Sequence, residues 1–212
     1  MWVREIWRYP VKSMAGERLA EADLQTTGIV GDRVVHVQTA DGRVVTARTR
    51  PRLLGHRAAL GPDGEPRVDG KPWQSTEIRD AVRAAAGPGA TLVWYDGVER
   101  FDVLPLLIAT DGAITAFGYD HRRLRPNLVL AGVTGLDERG WEGRTLRLRD
   151  GVQVGVQDLR QRCIMTTFDP DTLAQDVGVL RKIQREFEGS LALNCFVKSG
   201  GRIREGDAVE LC

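Results

Sequence analysis

The residues best suited to chemistry lie in one run, Arg162-Cys163-Ile164-Met165-Thr166-Thr167-Phe168-Asp169-Pro170. Cys163 follows Arg160 and Arg162 and precedes two threonine hydroxyls. Cations beside a cysteine favour the thiolate, the form that binds soft metals and attacks electrophiles. A free cysteine is also commonly a small buried hydrophobe, so local composition leaves both uses open. Three further segments carry groups for an anion. Tyr9-Pro10-Val11-Lys12-Ser13 presents Lys12 and Ser13 where a strand ends, a pair that suits a phosphate. Gly31-Asp32-Arg33 and Thr46-Ala47-Arg48 place Arg33 and Arg48 on a candidate hairpin, pointing either to solvent or into a polar site. Arg125-Pro126-Asn127 sets a guanidinium and an amide two residues apart, on one side of an extended chain. Pro126, lacking an N–H, fixes the backbone at the strand mouth. Singly, each segment reads more readily as an ordinary strand end. Together they are the donor set for a ligand that combines a phosphate, a polar heterocycle and a soft, thiolate-binding metal.

The elements that must position these residues are mostly short strands. Trp2–Arg8 alternates apolar and polar residues, and residues 33–47 read as a hairpin turning at Asp41-Gly42. Residues 61–70, rich in Gly, Pro and charge, read as a loop or irregular hairpin. Ser75 caps an expected helix over 76–86 that Gly87-Pro88 stops, and Thr110 caps another over 110–117. Strands are expected at 103–109, 127–131, 145–149, 152–157, 193–198 and 208–211. A third helix is expected over about 172–188, with Leu173, Val177, Leu180, Ile183 and Phe187 on one stripe. Many short strands and few helices predict a mainly β, α+β chain with a barrel-like body. The pattern restarts near residue 100, which sets the expected division at 1–100 and 101–212.

Composition narrows the function classes. The 212 residues carry 30 basic and 29 acidic side chains, a net charge of +1 that speaks against binding through the summed phosphate field of nucleic acid. Arg48, Arg50 and Arg52 alternate, but no aromatic platform accompanies them. Only Lys12, Lys71, Lys182 and Lys198 are lysines, so 26 of the bases are arginines, the residue that grips planar anions with two prongs. No apolar run reaches the roughly 20 residues a bilayer needs, and residues 1–8 hold no secretory core. Cys163, Cys195 and Cys212 are odd in number and not paired at CxxC spacing. Free thiols fit a reducing, cytoplasmic compartment.

The ordered combination of these motifs resembles the MOSC-domain proteins, and within them the group that includes the mitochondrial amidoxime-reducing component. Tyr9–Ser13, Gly31–Arg33 and Thr46–Pro51 are similar to the family's N-terminal β-barrel region. Arg125–Asn127, the acidic-Trp segment Asp137–Trp141, Arg162–Pro170 and Gly206-Asp207 are similar to the MOSC domain proper. The resemblance implies a MOSC β-barrel with a smaller N-terminal barrel-like subdomain. It also implies a molybdenum cofactor, a pterin dithiolene with a terminal phosphate. By that resemblance Cys163 is the protein's ligand to molybdenum. Lys12, Ser13 and Arg33 grip the phosphate and pterin side, and Arg48, Thr110, Arg125, Asn127 and Arg162 add cofactor contacts.

The implied activity is reduction of small N-hydroxylated substrates of the amidoxime or hydroxylamine type. Electrons are expected from a separate ferredoxin- or flavin-type protein, because no cysteine-rich ferredoxin-like segment follows. An alternative within the same family is a sulfur or cofactor carrier that uses a Cys163 persulfide. Two departures bear on these expectations. Gln161 stands where the family's reductases often have Ser, and the stretch from about 60 to 103 is shorter than in mitochondrial members.

Overall fold

The computed structural model describes residues 1–212, mostly strands with three α-helices. Eight strands form one sheet in the spatial order Glu210–Leu211, Thr145–Arg147, Gln153–Gln161, Ser190–Ser199, Leu106–Thr110, Leu128–Ala131, Trp2–Arg8 and Glu17–Leu19. The sheet turns back on itself. Val3 N donates to Asp207 O at 2.9 Å and Val209 N donates to Met1 O at 2.9 Å, joining the first strand to the chain just ahead of the last. Inside lie 21 buried apolar residues, among them Ile6, Ile108, Leu128, Val154 and Leu193. Leu106–Thr110 and Leu128–Ala131 run parallel, so the helix Asp111–Phe117 lies in the crossover between them. Leu128–Ala131 is buried at every position, as a parallel strand covered on both faces should be.

A second body packs around 15 buried residues that include Val11, Met14, Leu53, Trp73 and Val82. It holds the three-stranded sheet Thr91–Trp94, Val35–Gln38 and Val44–Val45, the hairpin strands Ala58–Leu60, Pro66–Val68 and Lys71–Pro72, and the helix Thr76–Ala86. The Ser75 hydroxyl accepts from Ile78 N at 3.4 Å, and Ile78, Val82 and Ala85 face the core at helical spacing. Gly42 takes φ +81° at the Asp-Gly turn, a conformation that favours glycine.

Two expected element bounds change, and the first strands pair across residue 100: Trp2–Arg8 with Leu128–Ala131, and Glu21–Gln25 with Gly201–Arg204. Barrel closure needs those N-terminal strands, and local sequence patterning does not report a partner over a hundred residues away. The third helix is shorter, Val177–Glu186, capped by Asp176, whose carboxylate accepts from Gly178 N at 2.8 Å. Its buried stripe is Val179, Ile183 and Phe187, while Val177 is 45% exposed. Asp169 N donates to Ala174 O at 2.9 Å and Leu173 takes φ +60°, so residues 168–175 fold back as a loop before the helix starts. Finally, residues 103–105 precede their strand, which runs Leu106–Thr110.

Gly112 locks the crossover helix to the loop after Leu128–Ala131. A Cβ there would meet Val133 O at 2.7 Å and the Gly135 carbonyl oxygen closer still. Gly112→Ala is expected to destabilise the fold by about 1–3 kcal/mol, read from urea unfolding. An unchanged midpoint would mean that the 133–135 loop yields.

Candidate functional site

A cleft of about 860 Å³, its open mouth included, is lined by 21 residues from both bodies. The second body supplies Lys12, Ser13, Arg33, Thr46 and Arg48, and the barrel supplies residues from 123–127 and 160–166 with Asn194. Eight of the nine residues singled out from the sequence meet here: Lys12, Ser13, Arg33, Arg48, Arg125, Asn127, Arg162 and Cys163.

The backbone bends sharply to bring them in. Ser13, Arg33 and Arg125 take φ values of 71°, 54° and 56°, the left-handed region that side chains with a Cβ rarely adopt. Such residues persist where surrounding structure holds them, and they gather at functional sites. Ser13 is held by its hydroxyl, which accepts from Ala47 N at 3.0 Å and ties the Lys12 turn to the Arg48 turn. Arg33 N donates to Tyr9 O at 2.8 Å.

The cleft is strongly cationic. Seven basic side chains line it (Lys12, Arg33, Arg48, Arg123, Arg125, Arg160 and Arg162) against one carboxylate, Asp102. Asp102 gathers three of them: Lys12 Nζ lies 2.8 Å from one carboxylate oxygen, with Arg48 at 2.7 Å and Arg160 at 3.5 Å from the other. Burial pushes the Asp102 carboxyl up, but Lys12, Arg48 and Arg160 outweigh it and hold the group below the usual carboxylate range. Arg48 lies beside both Asp102 and Cys163; burial opposes its charge, and the Cys163 and Asp102 contacts more than restore it.

Deeper in, compensation stops. Arg125 makes no ion pair and no side-chain hydrogen bond, and its guanidinium stacks 4.3 Å from the centre of the Tyr9 ring. Burial pushes Arg125 down to about 10. Arg162 donates to Leu124 O at 2.7 Å, and its Nε is buried without a partner. Burial, then the neighbouring Arg160, push Arg162 down to about 10 as well. Both remain cationic at neutral pH, and an anionic ligand would supply what they lack.

Cys163 leaves the end of Gln153–Gln161 in an extended conformation and opens a single 3-10 turn, Ile164–Thr167. The threonine pair fixes that turn. Thr166 Oγ1 donates to Cys163 O at 2.9 Å and Thr167 Oγ1 to Ile164 O at 2.7 Å. The Asp169 carboxylate accepts from Thr172 N at 3.0 Å and Asp171 N at 3.1 Å, and pairs with Arg123 at 2.9 Å. Asp169 is therefore a turn residue. Cys195 is buried in the barrel, and burial raises its thiol far above the usual range.

Two of the expected contact residues are engaged with other partners. Thr110 does not line the cleft. It is fully buried, accepts from Ala113 N at 3.1 Å as the helix cap, and donates to Glu138 at 3.2 Å. Asn127 lines the cleft, but its amide is saturated by Leu107 N at 3.1 Å, Trp7 O at 3.3 Å and Asp32 at 3.2 Å, with Arg33 at 3.5 Å. It pins the wall and has no hydrogen left to read a heterocycle. The alternating arginines are not a strand stripe either: Arg50 donates to Ala86 O at 2.9 Å ahead of the 3-10 turn Pro51–Gly55. Sequence reasoning did not assign Asp102, Arg123 or Asp32 to the site. The one visible signal was a charged residue, Asp102, inside the apolar approach to a buried strand.

A family model described as the MOSC N-terminal beta barrel domain matches residues 1–104, and one described as the MOSC domain matches residues 111–210. The chain belongs to the MOSC family. This MOSC protein is 25% identical to mitochondrial amidoxime reducing component 2 of Macaca fascicularis and 27% identical to that of Homo sapiens. Both alignments cover 80% of this chain and 67% of the relative. Among solved structures, the YUAD protein from Bacillus subtilis superposes with a TM-score of 0.50 at 13% identity. That superposition covers 100% of this chain and 98% of that one, and it shows a shared fold.

Asp102 and Thr110 give opposite expectations. Asp102→Asn should lower stability at neutral pH by on the order of 1 kcal/mol, with the loss shrinking as pH falls toward roughly 3. A carboxyl held low stabilises the fold above the carboxylate range and stops doing so once protonated. Melting midpoints across that range check it; a loss that does not vary with pH contradicts it. Thr110→Ala should remove about 1 kcal/mol through the lost cap and leave binding of inorganic phosphate unchanged by calorimetry.

Proposed function

We propose that the cleft holds a molybdenum cofactor and that the protein reduces N-hydroxylated substrates. The observation that carries this reading is the set of seven basic side chains around one carboxylate and one accessible cysteine. The donors fit such a group. The unpaired Arg125 and the orphaned Arg162 Nε call for an anion, and Cys163 offers a soft ligand. No group of three or more His, Cys, Asp or Glu is arranged to hold a bare metal ion, so a metal at Cys163 needs its other ligands from a cofactor. The family and the amidoxime-reducing relatives support the same chemistry.

When bound, the cofactor supplies the two-electron redox chemistry that converts an N-hydroxylated base, two protons and two electrons to the free base and water. The chain's residues do the rest. Cys163 is the protein ligand, and its turn is held by Thr166 and Thr167. Lys12, Ser13, Arg33, Arg125 and Arg162 are the candidates for the phosphate and pterin. Arg48 and Asp102 flank Cys163 and set the charge beside it. Electrons would come from a separate donor protein. No helix is long and apolar enough to cross a membrane.

A second reading, a carrier that holds sulfur on Cys163, is favoured by the same accessible cysteine between cations. One experiment separates them: molybdenum and pterin per chain after expression in a host that makes the cofactor, for wild type and Cys163→Ser. The reductase reading expects near-stoichiometric metal in the wild type, with benzamidoxime reduction by a chemical donor lost at least a hundredfold in the variant. Folded wild type without metal or pterin, carrying a trappable Cys163 persulfide, would replace it with the carrier reading.

A further inference from the structure

A second cleft, also about 860 Å³ with its mouth included, lies behind the first and shares Arg123, Arg125 and Met165 with it as a common wall. Apart from the shared Arg125, the cofactor reading uses none of its residues. Its apolar lining includes the rings of Trp7, Tyr9 and Phe168 together with Leu54, from the turn Pro51–Gly55. Trp7 and Phe168 are only partly buried, so their rings remain available to a ligand.

The arginines of this cleft divide sharply. Arg122 is saturated between Asp120 at 2.6 Å and Asp171 at 2.6 Å. Arg123 is held by Asp169 at 2.9 Å and by Thr167 O at 3.0 Å. Arg57 is different: it is exposed, and its guanidinium makes neither an ion pair nor a hydrogen bond. Arg125, in the shared wall, is equally without a polar partner. Two cations are therefore fixed by carboxylates as framework, Arg125 serves the first cleft, and Arg57 alone stands free beside the aromatic rings. Aromatic walls take a flat ring, and a free guanidinium takes a planar anion with two parallel hydrogen bonds.

We propose that this second cleft is a binding site for a flat aromatic or heteroaromatic ring bearing a carboxylate, with the ring against Trp7 and Phe168 and the carboxylate on Arg57. The site adjoins the cofactor's across a common wall, and the cation it relies on, Arg57, lies outside the cofactor reading.

The test uses the protein as isolated and two probes of one shape, 2-naphthoate and the neutral 2-naphthamide, followed by calorimetry and tryptophan fluorescence. Naphthoate is expected to bind roughly tenfold more tightly than the amide, the worth of one charged pair at a partly exposed site. Arg57→Ala should erase that preference while leaving amide binding as it was, and Arg57 has no partner whose loss could disturb the fold. Leu54→Trp, checked for an intact melting transition, should fill the cleft and weaken both probes at least tenfold. Arg48→Ala, in the first cleft, should change neither. Equal affinity for the two probes would overturn the proposal, as would absence of binding. Loss of naphthoate binding in Arg48→Ala but not in Arg57→Ala would place the ligand in the cofactor cleft and overturn it equally. Because no readout depends on metal or turnover, failure here and failure of the reductase reading are distinguishable.

Discussion

The buried carboxylate of Asp32 is the interaction on which the cleft depends. One oxygen accepts from Tyr9 N at 2.7 Å; the other takes Asn127 Nδ2 at 3.2 Å and the Arg33 guanidinium. Its backbone carbonyl accepts from Arg100 at 3.1 Å. Four segments distant in sequence are thereby fixed around one fully buried anion: the exit of the first strand, the 31–33 turn, the mouth of Leu128–Ala131 and the turn Val98–Arg100. A buried carboxylate without partners costs several kcal/mol, so its hydrogen bonds must form together, and forming them sets the walls.

A second constraint follows from charge. Gathering seven cations in one cleft is unfavourable unless each side chain is held, yet holding each with a carboxylate would cancel the charge a ligand needs. Three carboxylates serve five of the seven, Asp102 for Lys12, Arg48 and Arg160, Asp32 for Arg33 and Asp169 for Arg123, and neutral acceptors add to these. Arg162 is held by Leu124 O, Lys12 by Arg100 O at 2.8 Å, and Arg100 by Thr27 O at 2.7 Å and Gly97 O at 3.1 Å. Carbonyl oxygens satisfy N–H groups and fix geometry while leaving the net charge in place. Of the three carboxylates, Asp102 gathers the most charge, sitting where Lys12, Arg48 and Arg160 converge beside Cys163.

Residue types and short motifs made much of this legible. The Cys163 turn, the Lys12-Ser13 strand exit, Arg33 and Arg125 were all visible as donors, because each lies next to a proline, glycine or paired hydroxyl that marks a strand end. The helix Thr76–Ala86 and its Ser75 cap were readable because cap and periodicity are local. Asn127 was found as a residue, but its saturation depends on Leu107, Trp7 and Asp32, three partners that no local pattern joins. Thr110 carried two local meanings at once, cap and hydroxyl donor, and only burial decides for the cap. Asp102 escaped because its meaning lies wholly in the cations around it, which come from residues 12, 48 and 160.

The topology explains why the site lies where it does. The chain passes between the barrel and the second body near residues 9–16, near 30–34 and again near 95–105. Each passage lines the cleft: the first with Lys12 and Ser13, the second with Arg33, the third with Phe101, Asp102, Val103 and Leu104. Crossing segments cannot bury their backbone in either core, so they carry polar side chains and tight turns, and here two of them carry left-handed residues. The passages must also stay together if the bodies are to keep one orientation. Lys12 does this directly, bonding Arg100 O and Asp102 and so fastening the first passage to the third. Asp32 fastens the second to the first through Tyr9. The groups that hold the two bodies in register are thus the same groups that line the cleft, and a ligand drawn to these cations would bind the joint between the bodies as well as the site.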